Sequence, residues 1–186
     1  MTDEIIFVNL FLEGSMIEIR KMTTDDAESF IKLRNFVWRD AYKDIFPEEV
    51  FSDRERNEEK SIAFVKTWDL NANGAIHYMA EDNGRMVGFM IGNVHSQYAH
   101  FEDYADLNAV YIHPDYQGKG IGAKFFNIFV EEMRSLGATK FVIGVLKDNK
   151  NARRVYEKWG GKLDSHTQPF EKLGKLYDEV FYTFEF

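Results

Sequence analysis

The chain has 186 residues, 45% of them hydrophobic, no cysteine, and a net charge of −8 at pH 7. A chain of this length buries one substantial core, and its acidity argues against a general nucleic-acid binder, which needs a concentrated basic surface. No apolar run approaches the roughly 20 residues that cross a bilayer, and the first residues lead with acids rather than a basic segment, so neither a membrane partner nor secretion is expected.

Ile17 to Arg20 alternates apolar and polar residues like a short strand, and Thr23-Thr-Asp-Asp26 is a helix-start signal with acids in the first turn. The helix that follows carries Ala27, Phe30, Ile31, Val37, Trp38, Ala41 and Tyr42 at three-or-four spacing, interrupted by Arg34, and Pro47 ends it. Ser52 to Trp68 is expected to be a second, more charged helix, followed by a loop at 71–74. Strands are expected at Ile76 to Glu81 and Arg85 to Val94, joined by the hairpin signal Asp82-Asn-Gly84. After a polar, aromatic loop from His95 to Tyr104, Leu107 to Ile112 is a further strand closed by Pro114. Ile121, Phe125, Ile128, Phe129, Met133 and Leu136 trace one face of a helix that ends at Gly137. Phe141 to Leu146 reads as a buried strand. Asp148 or Asn149 caps a helix with Ala152, Val155, Tyr156 and Trp159, stopped by Gly160-Gly161, and Asp178 to Phe186 alternates as a terminal strand.

Between the strand 107–112 and the helix 121–136 lies Tyr-Gln-Gly-Lys-Gly-Ile-Gly-Ala, residues 116–123, with glycines at three alternate positions. A helix N-terminus presents unpaired amides with partial positive charge, and glycines let them close around a pyrophosphate. The segment from Gln117 to Lys162 holds ten Lys or Arg against four Asp or Glu. That excess fits either a solvated basic face or a polyanion site. A triphosphatase loop would need Ser or Thr after Lys119, which is absent. Gly118-x-Gly120-x-x-Ala123 satisfies a relaxed dinucleotide pattern, but five residues separate it from its strand. A plain strand-to-helix turn is the remaining structural reading.

Val110-Tyr-Ile-His-Pro-Asp-Tyr-Gln-Gly-Lys-Gly-Ile-Gly122, followed by Asn149-Lys-Asn-Ala-Arg-Arg-Val-Tyr-Glu-Lys-Trp-Gly160, resembles the two signature segments of the GNAT superfamily of acetyl-coenzyme A-dependent N-acetyltransferases. Gly161 stands where the family usually has an aromatic. The resemblance implies an α/β fold of the α+β type, in which a central mixed, mostly antiparallel sheet has splayed central strands and flanking helices. It spans 16–186 as one domain; residues 1–15 precede the family's usual start and read as an added strand, an expression remnant or an upstream translation start.

By the same resemblance acetyl-coenzyme A is the cosubstrate and no metal is needed, in keeping with five histidines that show no ligand spacing. The implied coenzyme-binding set is Val110, Tyr111, Ile112, Gln117, Gly118, Lys119, Gly120, Ile121, Gly122, Ala123, Asn149, Ala152 and Tyr156. Backbone groups of Val110 and Ile112 would bond the pantetheine arm, and Asn149 serves either that arm or only its helix cap. Tyr156 matches the tyrosine that protonates the leaving thiolate, although an aromatic on a short helix also fits a core role. Asp106 is the first choice for the base that takes the amine proton, with Glu102, Asp103 and His113 as rivals; neighbouring Glu102 and Asp103 would raise its pKa by repulsion.

Trp38, Tyr42, Phe46, Glu102, Asp103 and the segment from His166 to Lys175 are candidates for acceptor recognition, and the acidic loop 102–106 suits a cationic amine. Expected partners are thus a small-molecule or peptide amine and a second copy of the chain in a homodimer. A cytoplasmic location is expected of a cysteine-free chain without a leader. The competing class is a non-catalytic acyl-coenzyme A sensor with the same fold.

Overall fold

The computed structural model describes residues 8–12, 15–70 and 72–186. Two strands come first, β1 (Val8–Leu12) and β2 (Ser15–Lys21), followed by the helices α1 (Ala27–Tyr42), α2 (Glu48–Arg56) and α3 (Glu58–Val65). The hairpin strands β3 (Ala75–Asp82) and β4 (Arg85–Asn93) precede β5 (Ala105–Ile112), α4 (Ile121–Ser135), β6 (Lys140–Leu146) and α5 (Lys150–Lys158). The last two strands, β7 (Lys162–Lys172) and β8 (Lys175–Glu185), form a C-terminal hairpin.

All eight described strands form one sheet in the order β1-β2-β3-β4-β5-β6-β8-β7. Every pairing is antiparallel except β5 with β6, which is parallel. That parallel pairing lasts for only two residue pairs, Ala105 with Phe141 and Asp106 with Val142, after which the strands separate. The cause lies in β5. Between the pairs Ile91–Ala109 and Asn93–Asp106, β5 advances three residues while β4 advances two. A bulge of this kind bends its strand and breaks the local ladder. The splayed central strands implied by the sequence are thus present, opening beyond Asp106.

The two sheet faces bury separate cores. Ile121, Phe125, Ile128, Phe129 and Met133 point from α4 onto one face and meet Ile17, Ile19, Tyr78, Met90 and Leu107. Burying each such side chain contributes roughly 1.5–3 kcal/mol, and this stripe anchors the start of α4 beside the end of β5. On the other face Phe30, Ile31 and Val37 of α1 pack on Met79, Met86 and Phe89, while Tyr42, Phe46, Val50 and Phe51 meet Leu146.

The single helix expected at Ser52 to Trp68 is instead α2 and α3, broken at Asn57, whose Nδ2 donates back to the Asp53 carbonyl at 2.8 Å. The terminal strand starts at Lys175 rather than Asp178, and β7 was not anticipated. Of the segment 1–15 expected to precede the domain, residues 8–12 form a strand antiparallel to β2, Ser15 opens β2 itself, and 1–7 and 13–14 lie outside the described residues.

Candidate active site

The glycine turn has the conformation that its sequence demands. Gly118 and Gly120 have φ of +73° and +88°, which other residues rarely adopt. Gly122 is needed for space, because a Cβ there would meet Ile112 Cδ1 at 3.3 Å and Trp159 Cζ2 at 3.6 Å. Gln117 caps the end of β5 by donating its Nε2 to the Ile112 carbonyl at 3.1 Å. Among the described residues no protein acceptor bonds the N–H groups of Gly120, Ile121, Gly122 and Ala123, the first N–H engaged in α4 being that of Lys124. Four consecutive donors at an exposed helix start form a cradle for an oxyanion. Lys119 stands beside it with Nζ 5.2 Å from the Tyr116 ring centre.

Val110, Tyr111 and Ile112 run along the splayed part of β5. Val110 and Ile112 pack toward α4, whereas Tyr111 turns to the opposite face, where its hydroxyl meets that of Tyr42 at 3.0 Å. Burial drives the Tyr111 phenol well above its ordinary pKa. Across the gap, Asn149 caps α5 by accepting the Ala152 N–H at 3.1 Å. Tyr156, one turn further along, is half-buried between Trp159 and Tyr182, with centroids 5.8 and 5.9 Å away. Burial first, and Tyr42 second, raise its phenol pKa, so it is protonated throughout the neutral range.

Asp106 lies inside β5 rather than in the loop before it, and it is fully buried. Its Oδ2 accepts the Gln97 N–H at 3.3 Å, while Oδ1 has no hydrogen-bond partner among the described residues. Burial pushes the carboxyl up to about 7, and the charge of Glu179 adds to the rise. Glu179 is itself buried, accepting from the Tyr98 hydroxyl at 3.1 Å and from Gln168 Nε2 at 2.8 Å. This bridge passes directly over Gly144, where any Cβ would collide with Tyr98 Oη and Glu179 Oε1. The repulsion on Asp106 therefore comes from β8, not from Glu102 and Asp103 as the sequence suggested. Those two are exposed, and Asp103 pairs with Lys140 Nζ at 2.6 Å at the start of β6, the strand end away from the glycine turn.

His113 follows β5 directly on the side of the glycine turn, and its ring is already engaged. It is buried, stacked on Phe36 at 4.8 Å, with Nε2 3.2 Å from Arg85 and Nδ1 accepting the Asp115 N–H. Trp38, Tyr42 and Phe46 do come together with Tyr111 in an aromatic wall. Of the segment from His166 to Lys175, Phe170 reaches this wall at 6.2 Å from Phe46, whereas His166 stacks on His100 at 4.0 Å. The sequence reading missed Glu179 and Tyr98. Glu179 alternates with Phe181 and Thr183 on one face of β8, so its place on a buried face was detectable from period alone. Among the described residues no cluster of three His, Asp or Glu is arranged to hold a metal, and no helix is long and apolar enough to cross a membrane.

The chain belongs to the acetyltransferase (GNAT) family, whose model matches residues 33–161. Among its relatives is the L-amino acid N-acyltransferase MnaT of Escherichia coli K12, 28% identical over an alignment 112 residues long that covers 55% of this chain and 60% of that protein. The chain thus spans less than two thirds of that relative's length. The L-methionine sulfoximine/L-methionine sulfone acetyltransferase of Salmonella typhimurium is 25% identical over 133 residues, covering 71% of this chain and 76% of its own. In fold, the chain superimposes on PaiA N-acetyltransferase of Thermoplasma acidophilum, solved with coenzyme A, with a TM-score of 0.72 at 20% identity, over 91% of this chain and 99% of the other.

Proposed function

We propose that the chain transfers an acetyl group from acetyl-coenzyme A to the primary amine of a small molecule or peptide. The observation that carries this reading is Asp106: a buried carboxyl whose pKa is about 7, at the point where β5 and β6 part. A base with a pKa near the working pH is the most effective one. The residues present fit the cosubstrate. The free N–H groups of residues 120–123 would receive a pyrophosphate, Lys119 would add charge, and β5 beyond Asp106, where Val110 has no strand opposite on the β6 side, would accommodate an amide-bearing arm.

In the reaction the amine gives one proton to Asp106 as its nitrogen attacks the thioester carbon. The new C–N bond replaces the C–S bond, the departing sulfur takes a proton from the Tyr156 hydroxyl, and solvent carries the proton held by Asp106 back to the Tyr156 phenolate, restoring both groups. A backbone N–H near Val110 stabilises the oxyanion that develops on the acyl oxygen. Asn149 serves as the α5 cap through its Oδ1, with its amide nitrogen beside the Tyr42 hydroxyl.

Release of free thiol from acetyl-coenzyme A across a panel of primary amines, with mass detection of the acetylated product, tests the reading. Turnover with at least one amine is expected, together with loss of coenzyme binding in Gly120→Val, which forces a β-branched residue into positive φ. Tight coenzyme binding without transfer to any amine would replace the enzyme by an acyl-coenzyme A sensor.

A further inference from the structure

Arg34 is the residue that interrupts the apolar stripe of α1. With Phe30, Trp38 and Tyr42 it falls at four-residue intervals, so all four share one face of the helix. That face lies on the sheet, Phe30 against Phe89 at 4.9 Å and Tyr42 against Tyr111. From α2, Arg54 comes to the same place and lays its guanidinium 3.9 Å over the Trp38 ring.

Both guanidiniums are half-buried, and both Nε atoms are buried with no partner. Neither side chain makes an ion pair or hydrogen bond among the described residues, although the chain carries 31 acidic residues to 23 basic ones. The closest carboxylates are used elsewhere. Glu58 accepts from Asn35 Nδ2 at 2.9 Å, and Asp53 from Asn57 at 3.3 Å and Arg56 at 3.5 Å. Stacking on Trp38 satisfies only the face of the Arg54 guanidinium; of its in-plane donors, the buried Nε has no partner. Burial, and repulsion by Arg54, push Arg34 down to about 10, still charged at neutral pH. Glu58 attracts Arg34 and Asp53 attracts Arg54 through space, but neither carboxylate bonds its guanidinium; two half-buried like charges with no bonded counter-ion are costly, and the missing partner is an anion.

The position says whose anion it is. Asp106 pairs with Val142, and Val142, Gly144 and Leu146 alternate onto the sheet face that α1 and α2 cover. The proposed base and the two arginines therefore share one side of the sheet, while α4 and its cradle occupy the other.

Resting on the acetyltransferase reading above, we propose that Arg34 and Arg54 form an anion subsite that grips a carboxylate on the acceptor, so that the acceptor is a small zwitterion of the amino-acid type rather than a polyamine. The amine turns toward Asp106 and the carboxylate toward α1 and α2. This reverses the expectation that the acidic loop selects a cationic amine.

The test uses matched pairs of acceptors with the full chain: L-phenylalanine with phenethylamine, L-methionine with 3-(methylthio)propylamine, and L-lysine with cadaverine. For at least one pair, kcat/KM is expected to favour the carboxylated member at least tenfold. Arg34→Gln and Arg54→Gln should each collapse that preference toward unity by raising KM for the carboxylated member with kcat little changed. Arg34→Lys and Arg54→Lys should retain part of it. An unchanged affinity for coenzyme A verifies that each variant is folded. Equal rates for both members of every pair in the wild type, or variants that slow both members alike, would overturn the subsite. Calorimetric titration of the same amino acids into the coenzyme A-saturated protein separates this proposal from the enzymatic one. Binding that Arg54→Gln abolishes, without turnover, keeps the subsite and removes the enzyme; no binding of any of the three amino acids removes the subsite.

Discussion

Replacing Asp106 by Asn changes one buried proton and little else, because the Asn side chain can still accept the Gln97 N–H. In the folded chain the carboxyl has a pKa of about 7, against an unperturbed value of 3.8, the rise coming from burial and then from Glu179. The folded state therefore holds a proton that the unfolded state releases between about pH 4 and 7, and stability declines as pH rises through that window. About three pK units at ~1.4 kcal/mol each give a penalty of about 4 kcal/mol, absent at the acid end and complete above pH 7. The Asp106→Asn variant escapes it. Denaturant midpoints of both proteins across this range should diverge with rising pH, the variant becoming the more stable, with a melting temperature roughly 10 °C higher at the alkaline end. Its turnover should fall most near pH 7 and recover partly at high pH, where neutral amine is abundant. Two stability curves that run parallel in pH would refute a buried, perturbed carboxyl, and unchanged turnover would remove its role as base.

Tyr156→Phe keeps the packing on Trp159 and Tyr182 and removes the acid, so turnover should fall by about 10²–10⁴ with coenzyme affinity intact; wild-type turnover under chemistry-limited conditions would leave the ring as packing only. Asn149→Ala should cost about 1 kcal/mol through loss of the α5 cap, whereas Asn149→Asp keeps the cap. A coenzyme affinity lowered by Asn149→Asp at unchanged stability would show the amide nitrogen bonding the ligand. Gly144→Ala drives a methyl into the Tyr98–Glu179 bridge and should destabilise by roughly 1–3 kcal/mol, read from denaturant midpoints; no effect would mean that the bridge does not cross β6 as described.

Local chemistry made much of this fold legible. Asp82-Asn-Gly84 set the β3–β4 hairpin because Asn83 and Gly84, with φ of +49° and +78°, supply the turn it needs. The α4 stripe and Gly137 bounded that helix, and the glycine pattern marked the cradle. β7 escaped notice because its residues alternate only between exposed and half-buried and it contains Pro169, which a strand at the sheet edge tolerates. Asn57 split a helix where charge pattern alone ran on. Asp106 could be named as a base, but its surroundings could not be read, since they depend on Glu179 and Tyr98 arriving from distant parts of the chain. Arg34 registered only as an interruption, because Arg54, twenty positions away on another helix, supplies its meaning.

The brevity of the β5–β6 pairing bears on how long the protein lasts. With only two residue pairs joining them, the halves β1–β5 and β6–β8 meet along a seam whose backbone groups beyond Asp106 have no strand opposite. Any molecule that bridges this seam becomes a temporary member of the sheet and holds the halves together. Binding at a hundredfold excess over Kd adds about 2.7 kcal/mol to the folded state. Amide exchange along Leu107–Ile112 and Ile143–Leu146 would slow accordingly, and so would cleavage by proteases that act on the opened chain. The abundance of such a protein in a cell would then follow the supply of the molecule that fills the seam, even with its synthesis held constant.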